Sequence, residues 1–256
     1  EMNSTEKKML EILKELRDEH NVLAVKAEFE AEGSRTDELV KLNEIVFRAD
    51  MKMFIKIGGC EAVRDLDQCR LLGASGIMAP MIETPFAMKK FVGAAKKVYG
   101  DEINDIEWII NAETVTCFEN FDEILSVSKD FLNTVVIGRK DLSASIDYQN
   151  SNVNSKEVLE MTTKFAEKSK NSNLVVGMGG GISVDSISFI QKMEGLIDKF
   201  ETRKIVFGYE NNAEKIKKGI LKAIEFESLY LQNKSDFYDR MANEDKARLK
   251  AISKRI

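Results

Sequence analysis

The sequence predicts an α/β fold, a (β/α)8 TIM barrel with extra N-terminal and C-terminal helices. Short apolar segments alternate with amphipathic helical segments along most of the chain. The apolar segments lack an alternation of buried and exposed positions, which is typical of parallel strands covered on both faces. A length of 256 residues suits one such barrel. We therefore expect a single domain, with the barrel at about 22–212 and a helical extension at about 213–256.

Seven strands are predicted, one fewer than a complete barrel needs, so we expect one strand to be irregular or weakly signalled. The predicted strands are short apolar runs, at 22–27, 53–57, 75–79, 107–112, 134–138, 174–178 and 204–207. The predicted helices carry apolar stripes, at 4–19, 36–48, 60–72, 85–98, 117–129, 154–170 and 185–199, from about 212, and at 235–254. Asn3 and Glu6 have the spacing of a capping box at the first helix. The segment 147–155 is predicted to be a long loop.

Composition and charge narrow the class of protein. Lys and Arg number 38 against 43 Asp and Glu, so the net charge is −5 and argues against nucleic acid as the main partner. Three cysteines without CxxC spacing favour a reducing compartment. Since no apolar run approaches ~18 residues and no signal peptide is recognised, we expect a cytoplasmic protein with no membrane partner.

Polar residues at the ends of the predicted strands carry the functional signal, because parallel α/β folds place their sites there. Seven groups of residues stand at the ends of the seven predicted strands. In chain order they are Lys26, Glu28 and Glu30; Lys56 with Gly58 and Gly59; 80–84; 111–114; 138–143; 177–181; and Gly208, Tyr209 and Glu210. Glu113 and Asp141 follow neighbouring strands, where two carboxylates can hold one Mg²⁺ or Mn²⁺. The alternative is that each caps the following helix or pairs with Arg139 or Lys140.

Two lysines at strand ends admit another chemistry. Lys26 or Lys56, with a pKa lowered by burial, could form a Schiff base with a keto acid. The alternative is that they pair with Glu28 or with a substrate carboxylate. His20 is the only histidine, so a His-based triad or a His-rich metal site is excluded.

Three motifs occur together in the order PMIET (80–84), NAETVTCFENFDEIL (111–125) and IGRKDLSAS (137–145). Their combination resembles the HpcH/HpaI aldolase and citrate lyase β-subunit family over about residues 22–212. The resemblance implies a (β/α)8 barrel, Mg²⁺ or Mn²⁺ held by Glu113 and Asp141, and a pyruvate-like or oxaloacetate-like substrate bound to that metal. The candidate substrate-binding residues are Pro80, Glu83, Asn111, Gly138, Arg139, Lys140 and Ser143.

The chain departs from the family pattern at two places. Family aldolases usually carry an arginine at the position of Lys56. The lysine keeps the positive charge but lacks the bidentate geometry of an arginine. They also use a histidine after an early strand, where this chain has Lys26, Glu28 and Glu30. One of these three residues, or a metal-bound water, would have to act as the base.

The resulting hypothesis is a metal-dependent carbon–carbon lyase or aldolase acting on a 2-keto acid or its aldol adduct through an enolate. The alternatives are a non-catalytic or regulatory barrel that binds a keto acid, and a Schiff-base aldolase using Lys26 or Lys56. By resemblance, exchange of C-terminal helices between copies is expected, so the prediction is a homo-oligomer.

Overall fold

The fold is a closed barrel of eight strands, as the sequence predicted. A computed structural model describes residues 1–255, and the strands follow one another around the barrel in chain order. The strands are β1 (Val22–Glu28), β2 (Lys52–Lys56), β3 (Gly76–Ala79), β4 (Glu107–Ala112), β5 (Thr134–Gly138), β6 (Val175–Gly179), β7 (Lys199–Glu201) and β8 (Ile205–Gly208).

Helices surround the barrel and extend it at both ends of the chain. They are α1 (Ser4–Glu19), α2 (Thr36–Arg48), α3 (Val63–Leu71), α4 (Pro85–Tyr99), α5 (Val115–Glu119), α6 (Phe121–Val127), α7 (Arg139–Ile146), α8 (Lys156–Asn171), α9 (Ile187–Lys192) and α10 (Ala213–Ser253). Two short 3₁₀ helices lie at Gly100–Asp105 and Val184–Ser186. The predicted capping box of α1 is confirmed, because Asn3 and Glu6 exchange backbone-to-side-chain hydrogen bonds. The predicted loop at 147–155 is confirmed too, whereas α7 was not predicted.

The last strand reverses the direction of the other seven. Strands β1 to β7 pair in parallel, and β8 is antiparallel to both β7 and β1. Only 202–204 separate β7 from β8, and the amide of Thr202 bonds the carbonyl of Ile205 at 2.9 Å. A parallel crossover needs a dozen or more residues, so the connection can only be a hairpin.

This reversal corrects the prediction for the exit of the last strand. Gly208 and Tyr209 bond the carbonyls of Asn21 and Asp198, which precede β1 and β7. Gly208, Tyr209 and Glu210 therefore lie at the amino ends of the parallel strands, opposite the expected site. The hairpin turn at 202–204 takes their place at the carboxyl ends.

Strand β7 is the one that sequence patterning missed. The predicted helix at 185–199 ends at Lys192, and Gly195 adopts a positive φ of 75° in the turn that follows. Strand β7 has only three residues, two of them charged. A run this short shows no hydrophobic period, so the helical stripe before it was extended over it.

Two layers of side chains fill the barrel interior. The lower layer is apolar and consists of Ala24, Phe54, Met78, Ile109, Val136 and Val206. A separate and larger apolar cluster lies outside the barrel interior, where it packs the strands against the surrounding helices. Because side chains on a strand alternate in direction, residues two positions beyond the lower layer also point inward. On β1, β2 and β4 these residues are polar, namely Lys26, Lys56 and Asn111, and they lie one layer above the apolar lower layer.

The C-terminal extension is one helix of 41 residues, where two were predicted. Its length of about 60 Å exceeds the height of the barrel, and no glycine or proline interrupts it after Gly219. Ile216, Ile220, Ala223 and Phe226 are buried against the barrel, whereas most side chains beyond Tyr230 are exposed.

None of the helices described for residues 1–255 is both long enough and apolar enough to cross a membrane.

Candidate functional site

A cavity of about 400 Å³ opens at the carboxyl ends of the parallel strands. It contains the predicted catalytic residues, both predicted metal ligands and three of the predicted substrate contacts. Its lining includes Lys26, Glu28, Glu30, Lys56, Asn111, Glu113, Gly138, Lys140, Asp141, the glycines at 179–181, Glu201, Thr202, Arg203 and Glu227. We call this space the carboxyl-end cavity.

Strand alternation explains why these side chains converge. On β1, Lys26 and Glu28 follow the inward-facing Ala24 at intervals of two residues. Lys56 follows Phe54 on β2 in the same way, and Asn111 follows Ile109 on β4. Each of these three strands therefore contributes an apolar residue to the lower layer and at least one polar residue to the floor of the cavity.

Glu113 is held in one orientation by its neighbours. It follows β4 and is buried, and one carboxylate oxygen accepts a hydrogen bond from the backbone amide of Met81 at 2.9 Å. The other oxygen accepts one from the side-chain amide of Asn111 at 2.9 Å. A Cβ at Gly138 would lie 2.5 Å from Glu113 Oε2, so this position needs a glycine for the carboxylate to fit.

Asp141 lies on the first turn of α7 and faces the same cavity. Within residues 1–255 it has no hydrogen-bond donor and no ion-pair partner, so it does not pair with Arg139 or Lys140. Burial raises the pKa of Glu113, and the charge of Asp141 raises it further, while Lys56 acts in the opposite direction. The charge of Asp141 therefore acts on Glu113 within the cavity that both residues line.

The donor atoms of the site fit a hard divalent cation. Asn111 Oδ1 is buried and accepts no hydrogen bond from the described residues. The same side chain bonds the Glu113 carboxylate, in the cavity that Asp141 also lines. Oxygen ligands of this kind suit Mg²⁺ and Mn²⁺. Six carboxylates and four cationic side chains line the cavity, so a divalent cation would balance its charge.

Lys56 is a buried cation beside this group. Its Nζ lies 2.9 Å from Glu30 Oε2. Burial lowers the pKa of Lys56, but Glu113, Glu30 and Glu28 outweigh burial, and the net pKa is raised. The side chain is therefore an ammonium at neutral pH.

Lys26 is held by a residue that the sequence analysis missed. Its Nζ lies 2.5 Å from Glu201 and 3.6 Å from Glu28, and all three side chains are buried. Glu201 belongs to the unpredicted strand β7. The polar run 201–204 could have indicated a strand end, but β7 is too short to be identified from the sequence.

Two further cavity residues were also missed. Arg203 lies in the turn of the β7–β8 hairpin, and Glu227 comes from α10. Arg203 lies 3.9 Å from both Glu28 and Glu32. No local pattern marks Glu227, because only the packing of α10 against the barrel brings it to the cavity.

Four predicted substrate contacts do not line the cavity. Pro80 is buried, Glu83 accepts a hydrogen bond from Thr114 at 2.7 Å, and Ser143 donates to the carbonyl of Lys140 within its helix. Arg139 is fully buried.

Arg139 supports the site from behind. Its guanidinium donates to the carbonyls of Gly179 and Gly180 and to Ser186 Oγ, and it stacks over the ring of Phe189 at 4.5 Å. Burial lowers the pKa of Arg139 to about 10. The side chain thus anchors the glycine-rich loop that borders the cavity.

One other group of possible metal ligands lies at the opposite end of the barrel. Among the described residues, only Glu15, Glu19 and His20 bring three ligand atoms within 4.8 Å of one another. Glu15 there lies 3.3 Å from the Nζ of Lys222. The group is partly exposed and separate from the carboxyl-end cavity.

Solved structures share the fold at low sequence identity. An HpcH/HpaI aldolase from Desulfitobacterium hafniense DCB-2 superposes with a TM-score of 0.63 at 15% identity, covering 78% of this chain and 83% of that one. An HpcH/HpaI aldolase/citrate lyase family protein from Burkholderia cenocepacia J2315 gives 0.57 at 12%, covering 75% and 91%. RipC from Yersinia pestis gives 0.52 at 12%, covering 76% and 87%.

A search of curated proteins found no match. At these identities the structural likeness establishes the fold alone. The sequence model of one family, HpcH/HpaI aldolase/citrate lyase, matches residues 19–179, which is more than half of the chain and includes Lys26, Lys56, Glu113 and Asp141. Of these four residues, Lys26 and Lys56 lie on strands, whereas Glu113 directly follows β4 and Asp141 lies on α7. The chain therefore belongs to the HpcH/HpaI aldolase/citrate lyase family.

Proposed function

We propose that this protein is a metal-dependent carbon–carbon lyase of the aldolase type. Its substrate would be a 2-keto acid of pyruvate or oxaloacetate character, or the aldol adduct of one. The observation that carries the proposal is the convergence of Glu113, Asp141 and the Lys56 ammonium on one cavity of about 400 Å³. Family membership supports the lyase class, and members generally use a divalent metal.

Glu113, Asp141 and the free oxygen of Asn111 would hold Mg²⁺ or Mn²⁺. When bound, a divalent ion supplies Lewis-acid stabilisation of the negative charge that an enolate carries. The cavity size is at the lower end of the range for small-molecule sites, which suits a compact acid.

Lys56 supplies charge stabilisation from the protein itself. Its ammonium lies in the same cavity, and the N–H donors that do not point at Glu30 can bond an oxygen on which negative charge develops. Since Glu30 fixes the ammonium at 2.9 Å, the donor is oriented before the substrate arrives. A lysine makes this contact as a point charge and lacks the bidentate geometry of an arginine.

The ion pairs of the two lysines favour this chemistry over a Schiff base. Imine formation needs a neutral amine, whereas Lys56 has a raised pKa and Lys26 lies 2.5 Å from Glu201. Borohydride reduction in the presence of pyruvate should therefore leave the mass of the protein unchanged. A mass increase of one reduced pyruvate adduct would favour the Schiff-base alternative.

Exchange of the pyruvate methyl protons with D₂O tests the proposal directly. NMR measures this exchange. We expect it in the presence of Mg²⁺ or Mn²⁺, and we expect it to be lost with EDTA or in the Glu113→Gln variant. Glu119→Gln is the matched control, because it makes the same change at an exposed residue six positions along the chain.

The results separate the alternatives. Binding of metal and pyruvate without exchange would contradict the lyase proposal and favour a keto-acid-binding barrel. Failure of both ligands to bind would remove the keto-acid assignment altogether.

A further inference from the structure

Glu28 is a buried carboxylate without a hydrogen-bond donor. Its side chain is 8% exposed, and no donor within residues 1–255 bonds to either of its oxygens. The two nearest cations are Lys26 at 3.6 Å and Arg203 at 3.9 Å, both beyond ordinary hydrogen-bond length. Glu28 nevertheless lines the carboxyl-end cavity.

The other glutamates deep in the cavity are already engaged. Glu113 accepts a hydrogen bond at each oxygen. Glu201 accepts one from Lys26 at 2.5 Å, and Glu30 pairs with Lys56 at 2.9 Å. Of these glutamates, Glu28 alone has no cation or hydrogen-bond donor of residues 1–255 within 3.5 Å of either oxygen.

A buried charge without hydrogen bonds is unfavourable unless a donor reaches it. The two flanking cations offset part of this cost but satisfy neither oxygen. A hydrogen-bond donor for Glu28 must therefore come from a molecule that enters the carboxyl-end cavity, such as a bound substrate. A carboxylate of this kind can accept a hydrogen bond or a proton from the substrate.

We infer that Glu28 is the catalytic proton acceptor of this site, an inference that rests on the proposed lyase function. With a bound 2-keto acid, a Glu28 oxygen takes a proton from C3. The electron pair of the C3–H bond becomes the C2–C3 double bond, and the carbonyl electron pair moves to the C2 oxygen. Return of a proton from the Glu28 carboxyl to C3 restores the keto acid, with no other reactant consumed.

Glu201 is a positioning residue in this scheme. Lys26 lies between Glu201 and Glu28, at 2.5 Å from the first and 3.6 Å from the second. The stronger contact holds the ammonium away from Glu28 and leaves the Glu28 oxygens free. With Glu201 neutralised, we expect Lys26 to pair with Glu28 and block it.

Two reactions that share an enolate but differ in proton transfer test the inference. Exchange of pyruvate C3 protons in D₂O needs a proton acceptor. Decarboxylation of oxaloacetate breaks the C3–C4 bond and releases CO₂, and the bond's electron pair forms the same enolate without removal of a proton. Both are measured on the full chain with Mn²⁺, with the enzyme-free rate subtracted.

Glu28→Gln should lower exchange by about 100-fold or more, the usual contribution of a general base, and leave decarboxylation within about threefold of wild type. Glu201→Gln should show the same selective pattern with a smaller loss of about tenfold. Glu113→Gln should lose both reactions, and Glu119→Gln should keep both. Circular dichroism of each variant verifies its fold.

Retention of exchange in Glu28→Gln would overturn the inference while the proposed lyase function stands. Equal loss of both reactions in Glu28→Gln would also overturn it, because the role would then lie in binding or structure. If the wild-type protein shows neither reaction, the proposed function itself fails, and the inference fails with it.

Discussion

Replacing Gly138 by alanine should displace Glu113. Gly138 has φ −88° and ψ 87°, a conformation that alanine adopts without strain. The added Cβ, however, would lie 2.5 Å from Glu113 Oε2 and 2.8 Å from Glu113 Cβ. Both separations fall well below the ~3.5–4.0 Å of favourable contact. The effect of Gly138→Ala is therefore steric and directed at one carboxylate.

The expected cost follows from overpacking. Glu113 is 2% exposed and accepts hydrogen bonds from Met81 and Asn111, so it cannot move without losing them. Inserting a methyl group into such a site destabilises by about 1–3 kcal/mol, or about 2–12 °C in Tm for a protein of this size. Because the displaced side chain is a proposed metal ligand, Mn²⁺ affinity should also fall by about tenfold or more.

Gly93→Ala is the matched control. Gly93 lies inside α4, and nothing is within 4 Å of a Cβ built there. Alanine in a helix interior is favoured over glycine by about 0.5–1 kcal/mol. The same chemical change should therefore stabilise the protein at this position.

Urea unfolding, followed by the fluorescence of the single buried Trp108, measures both variants without metal. Titration with Mn²⁺ then gives the affinity of the folded proteins. A Gly138→Ala protein as stable as wild type, with unchanged Mn²⁺ affinity, would refute the steric reasoning. So would an equal loss of stability in both variants.

Three other results are expected. Deletion of 233–256 should reduce the number of subunits that light scattering detects. The reason is that the distal half of α10 exposes apolar side chains that a second copy can cover. An unchanged number of subunits would contradict this expectation. Lys204→Met should cost about 3 kcal/mol in urea unfolding, because it leaves Glu32 without the ammonium at 2.5 Å. Lys204→Met combined with Glu32→Gln should cost less than the single change, and an equal or larger cost would argue against the ion pair. In the native protein at pH 8, only Cys60 should react rapidly with a thiol reagent. Cys69 and Cys117 are buried, and burial raises the pKa of Cys117 to about 12 and also raises the pKa of Cys69. Rapid reaction of all three thiols would contradict this expectation.

The sequence was sufficient for those parts of the fold and site that are coded locally. Each of the first six strands has at least four residues, enough for a continuous apolar run to be recognised. Glu113 and Asp141 could be identified because each directly follows such a strand. The inward direction of Lys26 and Lys56 follows from the same two-residue alternation.

Contacts across the barrel could not be predicted in this way. Lys26 and Glu201 are 175 residues apart in the chain and meet at 2.5 Å. Glu227 lies on α10, and no motif in the sequence indicates that this helix contributes a residue to the cavity. Arg139 sits in a motif beside Asp141 yet turns away from the cavity, because the carbonyls of Gly179 and Gly180 satisfy its guanidinium there.

The sequence by itself determined the alternation of strands and helices, the family motifs and the pair of carboxylates at neighbouring strand ends. These features depend on residues close together in the chain, where period and spacing act directly. Only the tertiary structure decided the reversal of β8, the ion pairs of the two lysines and the lack of a hydrogen-bond donor to Glu28 among residues 1–255. These depend on closure of the barrel, which brings β7, β8 and α10 against β1 and sets which charges neutralise one another.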